Sequence, residues 1–309
     1  MREPISSCAL SPDGLSPSGE RAFLKWAGGK RQLIPQLVSL LPPILPENSY
    51  FEPFLGSGAL FLHLVATGLI KPTQARLSDN NEKLMAAWTD VQTKIGEVIE
   101  HLQNIAANYN HADPACYYAL RDRYNTCSES GTERTALLIA LNKTCFNGLY
   151  RESKKGLFNV PRGNYKNPNI VPETTLKAVH IALQGAELTT GSFEKTLDWA
   201  KPGDFVYFDP PYEPLSQSSS FRAYHKNGFN RTDQQRLAEL VDQLTKRGVN
   251  VMLSNSTAPF IIQLYPQRDG LRLHRVTATR FINSNKDKRG AIQELVVTNY
   301  KINADSPKT

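Results

Sequence analysis

Asp209, Pro210, Pro211 and Tyr212 form a DPPY tetrad directly after the apolar run FVYF. A short apolar run of this kind reads as a buried strand, and its carboxyl end is where α/β sheets bind ligands. The residue types suit one difficult reaction, attack by the exocyclic amine of a planar base on an electrophilic methyl. Such an amine is a poor nucleophile because its lone pair is delocalised into the ring. A carboxylate and a backbone carbonyl accepting its two N–H bonds favour a pyramidal nitrogen and support the charge that develops on it. Asp209 is the candidate carboxylate and Pro210 the candidate carbonyl. Proline before proline holds the backbone extended, and Tyr212 offers a face on which a base can stack. The structural alternative is an Asp-Pro turn ending a strand beside a half-buried tyrosine.

Two further motifs could hold a cofactor. In EPFLGSGAL, from Glu52 to Leu60, Gly56 and Gly58 fall between a strand-like and a helix-like segment, where glycine lets backbone N–H groups approach a ligand closely. Asp79 follows Gly56 by 23 positions, near the offset at which a Rossmann-like carboxylate accepts ribose hydroxyls. GSGALF lacks the third glycine of the dinucleotide fingerprint, so a single adenosine cofactor fits better than a dinucleotide. A tight structural turn remains the alternative for the pair alone. WAGGK, from Trp26 to Lys30, is not a phosphate loop, because Arg31 stands where Ser or Thr is required. It is a glycine turn between an indole and an ammonium, able to pack on a ligand and pair with a carboxylate, or else an ordinary turn.

The elements that must position these residues are legible as alternation. Strand-like SYFEPF leads through glycine into LGSGALFLHLV; ARLSDNN leads into a helix beginning near Glu82; ELTTGSFEKTLDWA, FVYFDPPY, a helix from about Asp233 to Arg247, NVMLSNS, and a final pair near RVTATRF and ELVVTNY continue the pattern. This predicts a doubly wound Rossmann-like α/β sheet. From residue 91 to 175 the alternation stops and the chain becomes helical and polar, with tyrosines and basic residues. We read residues 21–90 and 176–303 as one catalytic domain, 91–175 as an inserted recognition domain, 1–20 as a flexible Ser/Pro/Gly-rich tail, and 304–309 as a short C-terminal tail.

Composition limits the classes. The 309 residues are 40% hydrophobic and 21% charged, which fits a folded globular chain rather than a disordered one. No apolar run approaches the about 20 residues needed to span a bilayer, so membrane and secreted readings fall and a cytoplasmic protein is expected. Thirty-six Lys and Arg against 29 Asp and Glu give a net charge of +7, a balance that suits a polyanionic partner. Cys8, Cys116, Cys127 and Cys145 match neither a metal knuckle nor a disulfide scaffold.

The order WAGGK, EPFLGSG, LSDNN, basic insert, DPPY resembles the amino-methylating DNA methyltransferases. RAFLKWAGGK, LNKTCFNGLYRESKKGLFNVPRGNYK and FDPPYEPLSQSSSFRAYH resemble segments of the Dam-type DNA adenine N6-methyltransferases, over most of residues 21–301. The resemblance implies S-adenosylmethionine as methyl donor, double-stranded DNA as partner, GATC as the site, and a target adenine flipped out of the stack. It carries Trp26, Ala27, Gly28, Lys30, Phe54, Gly56 and Gly58 to the cofactor, Asp79 to its ribose, Ser192 and Phe193 to its adenine, and Asp209 to both cofactor and target amine. It carries Phe146 and Asn147 to the opened duplex, Arg151 to a guanine, Leu149 and Pro161 to a thymine methyl, Lys25 to the first base pair of the site, and Tyr165 to the recognition side. The chain departs from the family where Asn164 replaces an arginine, with Arg162 two residues earlier, and where the intruding aromatic is Phe146 rather than tyrosine. A mobile loop over Glu213–Phe229 is expected to close on the base, and NKDKRG at 285–290 to grip phosphate. N4-cytosine methylation, a DNA-binding module without catalysis, and the modification half of a restriction system remain the alternatives. No metal and no obligate protein partner is implied.

Overall fold

The computed structural model describes residues 22–43, 48–128, 130–215, 229–266, 270–279 and 291–302. The expected N-terminal and C-terminal tails, most of the loop after DPPY, and NKDKRG lie outside the described residues.

Strands β1 (Tyr50–Glu52), β2 (Ala75–Asp79), β3 (Glu187–Thr190), β4 (Phe205–Phe208), β5 (Asn250–Ser256), β6 (Arg272–Thr279) and β7 (Ala291–Thr298) form one sheet in the order β3-β2-β1-β4-β5-β7-β6. The first five are parallel, and β7 runs antiparallel between β5 and β6. This is the expected doubly wound Rossmann-like sheet, with an antiparallel edge that the alternation of the sequence did not specify. The chain winds one way through β1, β2 and β3 and the other way through β4 and β5. The order therefore reverses between neighbours β1 and β4, paired with Tyr50 opposite Phe205. Ligand crevices open at such a reversal. Successive β4 residues face opposite ways: Phe205 and Tyr207 enter one hydrophobic cluster, Val206 and Phe208 the other.

Helices α1 (Ile34–Val38), α2 (Ala59–Ala66), α3 (Glu82–Thr93), α4 (Ile95–Asn108), α5 (Pro114–Thr126), α6 (Thr132–Thr144) and α7 (Glu173–Ala182) precede β3. The short α8 (Thr196–Trp199) leads to β4; α9 (Arg231–Arg247) and α10 (Pro259–Leu264) follow it. Asn81 caps α3 by accepting the Leu84 N–H, and Asn230 caps α9 by accepting from Thr232 and Asp233. Gly248, at φ 82°, ends α9 in the left-handed conformation.

α3 runs through residue 90, where the insert was expected to begin. Its side chains Leu84, Trp88 and Val91 share a cluster with Val98 and Leu102 of α4, Tyr117 of α5 and Leu137 of α6. The inserted helices therefore continue the core of the sheet instead of enclosing one of their own. Among the described residues no helix is long and apolar enough to cross a membrane.

Candidate active site

The glycine turn after β1 and the DPPY tetrad after β4 emerge side by side, because their strands are parallel neighbours. Across them lies a buried ion pair: Lys30 Nζ is 2.8 Å from Asp209 Oδ1. The same ammonium donates to the Gly28 carbonyl at 2.7 Å and sits 4.5 Å from the centre of the Tyr212 ring. Sequence positions 28, 30, 209 and 212 thus form one cluster. Burial pushes the Asp209 carboxyl up to about 6; Lys30 pulls it down, and Glu294 adds to the rise. Asp209 Oδ1 is buried and has no hydrogen bond beyond the charge contact with Lys30, so it keeps capacity to accept one.

Four partners that the sequence did not single out hold DPPY and the Glu213 that follows it. The Tyr212 hydroxyl donates to Glu294 of β7 at 2.7 Å. Gln234 of α9 donates to the Pro211 carbonyl at 2.9 Å, and its own Oε1 accepts from Asn255 of β5 at 3.0 Å. Asn255 in turn accepts from the Glu213 N–H at 3.3 Å, and Ser256 donates to the Glu213 carbonyl at 2.7 Å. Gln234 and Asn255 are 1% and 0% exposed, so this amide pair braces the tetrad from within the core.

The Gly56–Gly58 turn, expected to hold the cofactor, is equally constrained. Asp79, at the end of β2, accepts the Gly56 N–H at 3.1 Å and the Asn81 N–H at 3.0 Å. Burial raises its carboxyl above the usual range while these bonds lower it. Trp88 donates to the Gly56 carbonyl at 3.1 Å. Gly58 has φ 62°, and a Cβ there would come within 2.8 Å of the Trp88 ring. This is a cradle that only glycine fits. Gly58→Ala is expected to cost about 1–3 kcal/mol through strain and overpacking. Thermal unfolding and donor-binding titration should both register the change.

Glu52, at the end of β1, is 3% exposed and accepts from the Tyr50 hydroxyl at 2.6 Å and the Phe61 N–H at 3.2 Å. Burial raises its carboxyl to about 8, with Asp209 contributing. The neighbourhood thus holds a second carboxyl, kept neutral near pH 7.

Ala27 and Gly28 are exposed at the turn, which closes with the Gly29 N–H donating to the Trp26 carbonyl. Trp26 does not stand free; its ring stacks on Tyr150 of the insert at 4.9 Å and 24°. Phe193 stacks on Phe54 at 5.4 Å, and Phe229 meets both edge-on, so Phe193 also serves the core. Ser192 caps the turn over Phe193–Lys195 and donates to Glu194 at 2.6 Å.

Of the residues carried to DNA, all but Lys25 lie on the insert. Phe146 is 51% exposed and Leu149 is 40% exposed, each an apolar side chain held out to solvent. Asn147 has φ 56°, the only positive φ outside glycine among the described residues. Such a conformation costs about 1–3 kcal/mol and is tolerated where surrounding structure imposes it. The Pro161 carbonyl accepts the Phe146 N–H at 2.8 Å, which ties the turn to the returning segment. Arg151 is oriented by Asn159, donating through Nε to its Oδ1 at 2.7 Å and through Nη2 to its carbonyl at 3.1 Å. The intervening hairpin is anchored to α3 by Lys83, which meets Glu152 at 2.5 Å and the Gly156 carbonyl at 3.0 Å. Lys25 lies 5.5 Å from the Tyr165 ring centre. Arg162, two residues before Asn164, donates to the His111 carbonyl.

The profile of the D12 class N6 adenine-specific DNA methyltransferases matches residues 26–282. The chain belongs to that family. Among its relatives, the Type II methyltransferase M.MjaIII of Methanocaldococcus jannaschii is 42% identical, covering 91% of this chain and 99% of that one. The Type II methyltransferase M1.LlaDCHI of Lactococcus lactis subsp. cremoris is 39% identical, covering 91% and 95%. The DNA adenine methylase of Escherichia coli K12 is 33% identical, covering 93% and 98%. This D12-class methyltransferase is therefore an adenine-specific DNA-modifying enzyme, and the expected family, fold and enzyme class stand together.

Proposed function

We propose that this methyltransferase transfers a methyl group from S-adenosylmethionine to adenine N6 within GATC in double-stranded DNA, in line and with the target base flipped from the stack. The observation that carries the reading is Asp209. Its buried Oδ1 retains acceptor capacity at the strand reversal, where the parallel neighbours β1 and β4 bring DPPY beside the glycine turn.

Trp26, Ala27, Gly28, Lys30, Phe54, Gly56, Gly58, Asp79, Ser192 and Phe193 would hold the donor, and the glycine cradle braced by Trp88 fits a ligand that needs close backbone approach. When bound, the donor supplies a sulfonium methyl already activated for transfer. The protein contributes position and electrostatics. Asp209 and the Pro210 carbonyl accept the amine hydrogens, and Tyr212, fixed by Glu294, presents its face to the base. Phe146 fills the gap left by the flipped adenine, and Asn147 holds the backbone there. Lys25, Leu149, Arg151, Pro161 and Tyr165 read or grip the site, with 91–175 as recognition region and the two flanking segments as catalytic domain.

Arg151→Ala is expected to cost about 1–3 kcal/mol at one base pair and relax specificity there. Methylation rates on duplexes altered one position at a time check this; uniform weakening on every sequence would make Arg151 a phosphate contact.

The full reading is tested with labelled S-adenosylmethionine and a duplex carrying one GATC, beside duplexes with each position changed, digested to nucleosides. N6-methyladenine confined to GATC is expected, and label on other sequences overturns the site assignment. A role as the modification partner of a restriction nuclease is favoured by the 42% and 39% identities to Type II methyltransferases, above the 33% to the E. coli methylase. A nuclease encoded beside this gene that cuts the unmethylated site would support that role.

A further inference from the structure

Asn142 joins the segment that runs into the Trp26–Lys30 turn to the Phe146–Gly148 turn. It lies near the end of α6, 2% exposed, and its side-chain amide is fully engaged. Oδ1 accepts the Lys25 N–H at 2.8 Å; Nδ2 donates to the Lys25 carbonyl at 2.9 Å and to the Gly148 carbonyl at 2.9 Å. Both main-chain polar groups of Lys25 are thus held by one side chain, which also grips the last residue of the Phe146–Gly148 turn. Contact between the two segments is tight as well as polar. Gly148 has φ 64°, and a Cβ there would fall 2.5 Å from Lys25 Cδ and 3.1 Å from the Asn142 carbonyl oxygen. One residue along, Trp26 stacks on Tyr150. A movement of residues 25–30 on a ligand therefore cannot leave residues 146–150 where they were.

We propose that Asn142 is a specificity-determining positioning residue: it fixes Lys25 and the Phe146–Gly148 turn in one register, coupling donor binding at the cofactor turn to reading of the first base pair of the site. This rests on the proposed DNA contacts of Lys25 and Phe146. Coupling between binding sites is reciprocal, so donor should tighten DNA binding by the factor by which DNA tightens donor binding. A side chain that is buried, touches neither ligand, and satisfies three backbone groups on two segments is suited to carry such coupling, because releasing either segment leaves polar groups unpaired.

The test uses the full chain with S-adenosylmethionine, or its non-reacting analogue sinefungin, and duplexes carrying GATC or a changed first base pair. Asn142→Asp keeps the acceptor for the Lys25 N–H but removes both donated bonds. It is expected to lower the preference for GATC over the changed first base pair about tenfold and to bring the donor–DNA coupling factor close to one. Lys25→Ala should lose the same preference, and the double variant should lose little more, since the two act through one contact. Gly148→Ala, whose added Cβ would press on the Lys25 side chain, should give the same loss of preference and serves if Asn142→Asp does not fold. If Lys25→Ala relaxes the first base pair while Asn142→Asp and Gly148→Ala keep both preference and coupling, the clamp is overturned and the DNA contact stands. If all three variants keep the preference, the DNA role of Lys25 falls, and the clamp with it.

Discussion

Asp209→Asn will lower kcat by about three orders of magnitude while DNA still binds, an effect at the upper end for removing one preorganised partner of a developing charge. The substitution keeps the shape of the side chain and one acceptor, but removes the charge and turns an N–H group toward either Lys30 or the incoming amine. Lys30 then loses the carboxylate 2.8 Å away. Single-turnover rates at saturating donor and DNA, with DNA binding followed by anisotropy, separate the chemical step from binding. A variant that keeps even a tenth of the wild-type rate would remove Asp209 from the role of amine acceptor.

The same carboxylate sets the acid side of the pH profile. Burial raises it to about 6, and only the ionised form accepts both from the amine and from Lys30. The single-turnover rate should therefore fall tenfold per pH unit below about 6 and level off above it. Lys30 holds the value down, so Lys30→Met should move this limb to higher pH. The stability sign runs opposite to activity. A folded value above the ordinary 3.8 means that the group's contribution to stability is fully present below about pH 4 and is lost as pH rises through about 6. Asp209 is thus kept charged at a cost to the fold, as expected where function demands a buried charge.

The chemistry-bearing ends of strands were legible because sequence neighbours determine them. FVYF followed by DPPY, SYFE followed by PFLGSG, and ARLSD followed by NN each place a strand-like run before residues that cannot continue it, and β4, β1 and β2 end there. Winding of these strands brings the three turns to one crevice. Partners supplied by distant segments had no local signal. Glu294 is 82 residues from Tyr212, and Asn142 is 117 from Lys25. Gln234 occupies an amphipathic helix in which a buried glutamine looks like any polar position, and Asn255 sits in a strand whose faces the sequence did not rank. Glu52 was visible only as the first residue of a motif; its burial follows from the α2 N–H and the tyrosine hydroxyl that converge on it. An end of alternation marks where strands stop, and α3 runs across the boundary read between residues 90 and 91 with its apolar face packed against the insert helices.

Asp79→Ala should weaken S-adenosylmethionine binding about a hundredfold, equivalent to about 2.7 kcal/mol, and leave DNA binding without donor largely intact. The size follows from two losses. The Gly56 and Asn81 N–H groups lose their acceptor, each at about 1–3 kcal/mol where water cannot replace it. The ribose would also lose the carboxylate proposed to receive its hydroxyls. These origins can be told apart. If Asp79 acts only by bracing the Gly56 turn, a donor analogue lacking the ribose hydroxyls will be weakened by Asp79→Ala as much as the intact donor. If the carboxylate also receives the ribose, the analogue will bind wild type poorly and suffer less from the substitution than the intact donor does, keeping only the bracing loss, a non-additive pair. The carboxylate has lone pairs enough for both duties, since each oxygen accepts one backbone N–H in the structure and can accept another donor. We expect the non-additive result: an acceptor whose direction is already fixed by two backbone bonds loses little further freedom when it receives a ribose.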